Sequence, residues 1–161
     1  MTFPAMRRHL AALFTILLCI PILFTPVAQA IEDPEIQAAA VYLGDPVTGM
    51  PLYQKNAEER RYPASTTKIM TALVVLDNVQ DLDQKVTVLP EDFNDVPADG
   101  SKAGFVPGEE VPVIDLLYGL LLPSGNEAAN TLARFVGGSV SGFVEKMNRR
   151  ATDLGGTDTH F

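Results

Sequence analysis

From Tyr62 to Leu76 the chain carries one charged side chain, Lys68, among apolar and small hydroxyl residues. Past Pro63 the stretch contains neither glycine nor proline, so Ser65 to Leu76 reads as a helix whose start Pro63 helps to fix. Ile69, Met70, Ala72, Leu73, Val74, Val75 and Leu76 spread around its circumference, and a helix apolar on all sides is expected to be buried. The rest of the chain must then supply elements that enclose it. Ile114 to Leu122 is apolar enough for a second buried helix. Pro123-Ser124-Gly125 interrupts it, helical character resumes over Asn126 to Val136, and Gly137-Gly138 breaks the chain again. Ser139 to Leu154 is amphipathic, with Val140, Phe143, Val144, Met147 and Ala151 at helical spacing.

Upstream, Ala38 to Leu43 and Leu52 to Lys55 read as two short strands joined through Gly44-Asp45-Pro46-Val47-Thr48-Gly49, a hairpin. Asp81 to Val111 is polar, with scattered proline and glycine, and is expected to form loops with short strand pieces such as Lys85 to Val88. No internal repeat interrupts this order. A length of 161 residues suffices for one domain with a core, and 47% hydrophobic residues argue against disorder.

The first thirty residues read as an export signal. Arg7 and Arg8 form a positive segment, Leu10 to Phe24 is apolar with one break at Pro21, and Ala28-Gln29-Ala30 is a small-x-small cleavage site. The apolar run is short for a membrane span, although an uncleaved anchor is the competing reading. On either reading the remainder lies outside the cytoplasm. The net charge of −8 becomes −10 once Arg7 and Arg8 are set aside, since no acid lies in that segment. So acidic a body excludes nucleic acid as a partner. Cys19 is the only cysteine and lies within the signal, behind the bulky Leu17 and Leu18, which do not suit a lipid-attachment site. With His9 in the signal and His160 at the other end, no ligand set for a metal is expected, and no cofactor.

Two short patterns carry the chemistry. In Ser65-Thr66-Thr67-Lys68 the spacing of three puts the amine one helical turn from the hydroxyl. If the helix is buried, desolvation lowers the pKa of Lys68, and a neutral amine there could take the Ser65 proton and make the oxygen a nucleophile. The bland alternative is a helix cap at Ser65 or Thr66 with a solvated lysine. Ser124-Gly125-Asn126 lies between two apolar helices. It could face Ser65 across a cleft, the hydroxyl relaying a proton and the carboxamide holding a substrate backbone. Taken alone, Ser124 through Glu127 also fits a capping box.

The long surroundings of both patterns resemble the penicillin-recognising serine enzymes, whose signature is Ser-x-x-Lys, Ser-Asp-Asn and Lys-Thr-Gly. They stand here as Arg61-Tyr62-Pro63-Ala64-Ser65-Thr66-Thr67-Lys68-Ile69-Met70-Thr71 and Leu120-Leu121-Leu122-Pro123-Ser124-Gly125-Asn126-Glu127-Ala128-Ala129-Asn130. They are most similar to the low-molecular-mass D-alanyl-D-alanine carboxypeptidases, serine peptidase family S11, and Gly125 in place of Asp favours these over class A β-lactamases. The resemblance implies an α/β fold, an α+β sandwich with a helical cluster. It implies Ser65 as acyl-ester nucleophile, Lys68 as proton acceptor, Ser124 as proton relay and Asn126 as the substrate-orienting amide. Its implied partners are stem peptides of peptidoglycan ending in D-Ala-D-Ala and β-lactams as inhibitors, with membrane association through a C-terminal tail beyond this chain. Its implied place is the periplasm or the outer face of the cytoplasmic membrane.

The chain contains no Lys-Thr-Gly. Residues 31–161 are therefore expected to be the N-terminal part of the catalytic domain, incomplete at the C-terminus, inactive and poorly folded alone. A D,D-endopeptidase, a β-lactamase, or a noncatalytic wall-associated fragment are the competing expectations.

Overall fold

The computed structural model describes residues 35–161, and the expected export signal lies outside the described residues. The chain divides into two compact units at Glu59/Arg60.

In the first unit, β1 (Val41–Gly44) and β2 (Pro51–Lys55) pair antiparallel, Val41 opposite Lys55 and Leu43 opposite Tyr53, with a register irregularity after Leu43. The turn is organised by Asp45, whose Oδ1 accepts the N–H groups of Val47 and Thr48 and the Thr48 hydroxyl at 2.7–2.9 Å. Gly49 closes it at φ +71°, a backbone conformation glycine adopts without a Cβ penalty. These hydrogen bonds hold the Asp45 carboxyl below its usual range. The expected hairpin is present, with β1 starting three residues later than Ala38.

The second unit holds four helices and a small sheet: α1 (Thr67–Asn78), α2 (Val113–Leu121), α3 (Asn126–Gly137), α4 (Val140–Asp153), and the antiparallel pair β3 (Lys85–Thr87) and β4 (Glu110–Pro112). β4 falls in the stretch read as mostly loop. Three residues with Val111 as the one buried apolar side chain leave too little pattern to see. α2 follows Pro112 directly and stops two residues before Pro123, as proline geometry requires at both ends. Between α3 and α4 the corner is tight. Gly138 takes the left-handed position at φ +73°, and any Cβ on Gly137 would meet the Phe143 backbone nitrogen at 2.4 Å. Ser139 caps α4 by accepting the Gly142 N–H at 3.0 Å.

The core joins Val74 and Val75 of α1, Leu116 and Leu120 of α2, Leu132 of α3 and Phe143 and Met147 of α4 with Val86, Val88 and Val111 beside them. Truncating one such leucine to alanine costs about 2–5 kcal/mol. One expectation fails here. α1 is not enclosed on all sides, for Ile69 is 67% and Leu76 52% exposed, while Thr71, Ala72, Val74 and Val75 are buried. An all-round apolar sequence shows only that each face could be buried, not that each is covered.

One buried carboxylate ties the loop after β3 to α3. Asp92 accepts Arg134 Nε at 2.7 Å and its terminal nitrogen at 2.8 Å, the Thr131 hydroxyl at 2.9 Å and the Leu89 N–H at 2.8 Å. Burial works to raise the Asp92 carboxyl, but these partners, Arg134 foremost, outweigh it and hold it below the usual range. Among the described residues no helix is long and apolar enough to cross a membrane, and no cluster of three metal-ligating side chains occurs.

Candidate active site

Ser65 does not sit in the α-helix proper. Ala64–Thr66 form a 3-10 turn that runs into α1. Ala64, immediately before the serine, stands at φ +47°, a left-handed conformation unusual for alanine. The same is true of Ser124, at φ +63° on the turn between α2 and α3. Such residues cost about 1–3 kcal/mol each and persist where the surroundings enforce them. The two strained turns bring their serines together. Ser124 Oγ donates to Ser65 Oγ at 2.9 Å, across 59 residues of sequence.

One turn along α1, Lys68 is half-buried and donates from Nζ to Asn126 Oδ1 at 2.8 Å. Desolvation holds its ammonium below the ordinary lysine range, and the charge of Glu127 opposes that shift. All four residues singled out in the sequence therefore converge. The amine expected to take the Ser65 proton instead donates to the Asn126 carboxamide, at the start of α3.

The capping alternatives are not realised. Neither the 3-10 turn nor α1 has a side-chain cap, and the Thr66 hydroxyl donates back to Pro63 O at 2.5 Å. The capping box from Ser124 to Glu127 does not form either: α3 has no side-chain cap. With Ser124 in the left-handed region its hydroxyl faces Ser65, and Glu127 turns inward to accept the N–H groups of Ala103 and Gly104 at 2.6 and 2.8 Å.

Gly125 shows why this turn holds no side chain at its middle. A Cβ there would lie 2.8 Å from Gly119 O and 2.9 Å from both the Ala103 nitrogen and its Cβ. Gly125 N–H donates to Gly119 O at 2.9 Å and Asn126 N–H to Ser101 O at 3.0 Å, so backbone alone seats the turn. An aspartate in the middle position has no room here. Gly100 is pressed equally close, for its Cβ would meet Asn126 Nδ2 at 2.9 Å. The loop from Gly100 to Gly104 therefore walls the α3 side of the site, a role that no short motif in this polar segment signals.

The family model for peptidase S11, D-alanyl-D-alanine carboxypeptidase, matches residues 27–161. The chain belongs to this family. A D-alanyl-D-alanine carboxypeptidase of Streptomyces sp. (strain K15) is 45% identical over 142 residues, covering 83% of this chain and 49% of that relative. The Bacillus subtilis D-alanyl-D-alanine carboxypeptidase DacF is 36% identical over 164 residues, covering 97% of this chain and 41% of its own length. Among solved structures, a variant of the Streptomyces DD-transpeptidase superposes with a TM-score of 0.75 at 44% identity, covering 80% of this chain and 53% of that one. Penicillin binding protein 6B from Escherichia coli gives 0.74 at 37% identity, covering 83% and 44%. The fold is thus that of the penicillin-binding proteins, mixed α/β as expected, and the chain spans about half the length of the curated relatives it matches.

Proposed function

We propose that Ser65 is the nucleophile of a serine D-Ala-D-Ala carboxypeptidase that acts outside the cytoplasm on peptidoglycan stem peptides, reaching that place through the signal in residues 1–30. The observation that carries this reading is the 2.9 Å contact between Ser65 and Ser124, beside an amine that burial makes easier to deprotonate. Ser65 Oγ bonds to the carbonyl carbon of the penultimate D-alanine while its proton passes to Lys68 Nζ. The C–N bond to the terminal D-alanine breaks, and the leaving amine takes a proton relayed through Ser124. Water then cleaves the ester and restores the Ser65 hydroxyl. The first transfer requires Lys68 to exchange Asn126 for a serine oxygen, which its flexible four-carbon stem permits. That exchange frees the Asn126 carboxamide to bind the substrate backbone. A β-lactam acylates the same oxygen by opening its ring.

The family signature also holds a Lys-Thr-Gly element, which these 161 residues do not contain, and a second reading of them by themselves is a fragment without turnover. In the family signature that element stands beside the serine and recognises the terminal carboxylate. Labelling with a fluorescent penicillin, resolved by gel and peptide mapping, tests both. A chain extended through a Lys-Thr-Gly strand takes up label on Ser65 and loses it in Ser65→Ala. Label that survives Ser65→Ala sinks the nucleophile assignment. No label on the 161-residue chain supports the fragment reading.

A further inference from the structure

Glu127 follows Asn126 directly and is completely buried, yet the chemistry above makes no use of it. Its Oε1 accepts two backbone N–H groups, from Ala103 and Gly104, while its Oε2 is buried without a hydrogen-bond partner. A buried carboxylate with one oxygen unsatisfied is costly. Anchoring the loop does not account for it, because one carbonyl oxygen suffices to accept both N–H groups. What the second oxygen adds is charge, and it adds it next to the Lys68–Asn126 pair.

We propose that Glu127 is the positioning residue of the site: pinned by the Ala103 and Gly104 amides, its carboxylate fixes a buried negative charge that holds the Lys68 amine at Asn126 until substrate draws it to the serines. This rests on the reading of Lys68 as proton acceptor. The carboxylate opposes the effect of burial on Lys68, so two buried features with contrary effects set how readily the amine gives up its proton.

In and beside the loop that walls the site, Lys102 and Asp99 are charged but exposed to solvent, which screens them. Ser65, Ser124 and Asn126 are uncharged at neutral pH. Arg150 of α4 pairs with Asp77 at 2.8 Å and Lys146 donates to Asn78, both at the far end of α1. Asp77 lies nine residues along the helix from Lys68. That is about 13 Å, beyond a screening length of about 8 Å. Asp115 of α2 is exposed.

The test is proton titration of Lys68 by NMR on the chain carrying 13Cε-lysine, the signal being assigned by its loss in Lys68→Arg. Glu127→Gln keeps an oxygen for both N–H groups, removes the charge and puts an NH2 in place of the unpartnered oxygen. In Glu127→Gln the Lys68 signal is expected to titrate at lower pH than in the unaltered chain, since loss of a neighbouring anion disfavours the ammonium form. An unmoved titration overturns the assignment. Should Glu127→Gln fail to fold, the unaltered chain still decides: the 13Cδ signal of Glu127 must record a step at the pH where Lys68 titrates, and its absence refutes the coupling. Penicillin labelling of the extended chain is scored alongside. Missing label with the lysine shift present refutes acyl transfer and leaves the hold of Glu127 on Lys68 standing; label without the shift does the reverse.

Discussion

Two carboxylates are buried against α3, and they are treated in opposite ways. Asp92 is surrounded by donors: a two-pronged Arg134, the Thr131 hydroxyl and the Leu89 N–H. Glu127 has two amides on one oxygen and nothing on the other. Asp92 serves the fold, since all its partners are structural and join the loop after β3 to the helix. Glu127 adjoins the residues proposed to move protons, and its incompleteness is what a site, not a scaffold, tolerates. The contrast teaches that polar satisfaction, more than burial, separates a stabilising acid from a working one.

The largest effect is expected at the satisfied pair. Asp92→Ala leaves Arg134, in a largely buried position, with only the exposed Glu91 at 3.8 Å as counter-charge and should lower stability by about 3 kcal/mol, read from urea denaturation of the chain. Replacing both Asp92 and Arg134 by leucine should recover part of that loss, the rest staying with the Thr131 hydroxyl and Leu89 N–H that lose their acceptor; equal loss in single and double variants would mean the pair is not the cause. Acid offers the same test without mutation. Because Asp92 is held below its unfolded value, its contribution is complete above about pH 3.9 and is lost as the pH falls through the folded value. Acid unfolding of the Asp92→Ala variant should therefore be shallower than that of the unaltered chain.

Glu127→Gln should cost less, about 1–3 kcal/mol in the same denaturation, because the loop keeps its acceptor and only the two hydrogens of one amide NH2 are buried unpaired. A loss as great as that of Asp92→Ala would erase the distinction drawn here. The smallest effect belongs to a third carboxylate, the half-buried Asp45 of the hairpin turn. Asp45→Ala should speed amide exchange at Val47 and Thr48 and leave the urea midpoint unchanged. A shifted midpoint would show that the turn contributes to global stability.

Much of this was legible in the chain itself. The hairpin, the four helices and the convergence of Ser65, Lys68, Ser124 and Asn126 follow from proline and glycine punctuation, apolar periodicity and two motifs. What escaped depends on long-range contact. β4 is too short to show a period, and the exposed Ile69 and Leu76 look as apolar in sequence as the buried Val74 and Val75. Local rules assigned Glu127 to a cap, the nearest partner in sequence, yet its amides lie 23 and 24 residues upstream. Arg134 and Asp92 are 42 residues apart, and nothing near either one announces the other.

The hydroxyl pair has a consequence for when reactivity arises. Its members are 59 residues apart and belong to turns that flank different helices, so no local folding event creates it. A nascent polypeptide carries the two oxygens as ordinary alcohols. They become a unit only after α1 and the turn into α3 have docked, late by the measure of chain separation. The competence proposed for Ser65 therefore waits on tertiary assembly, and on the closing of the loop between its two halves.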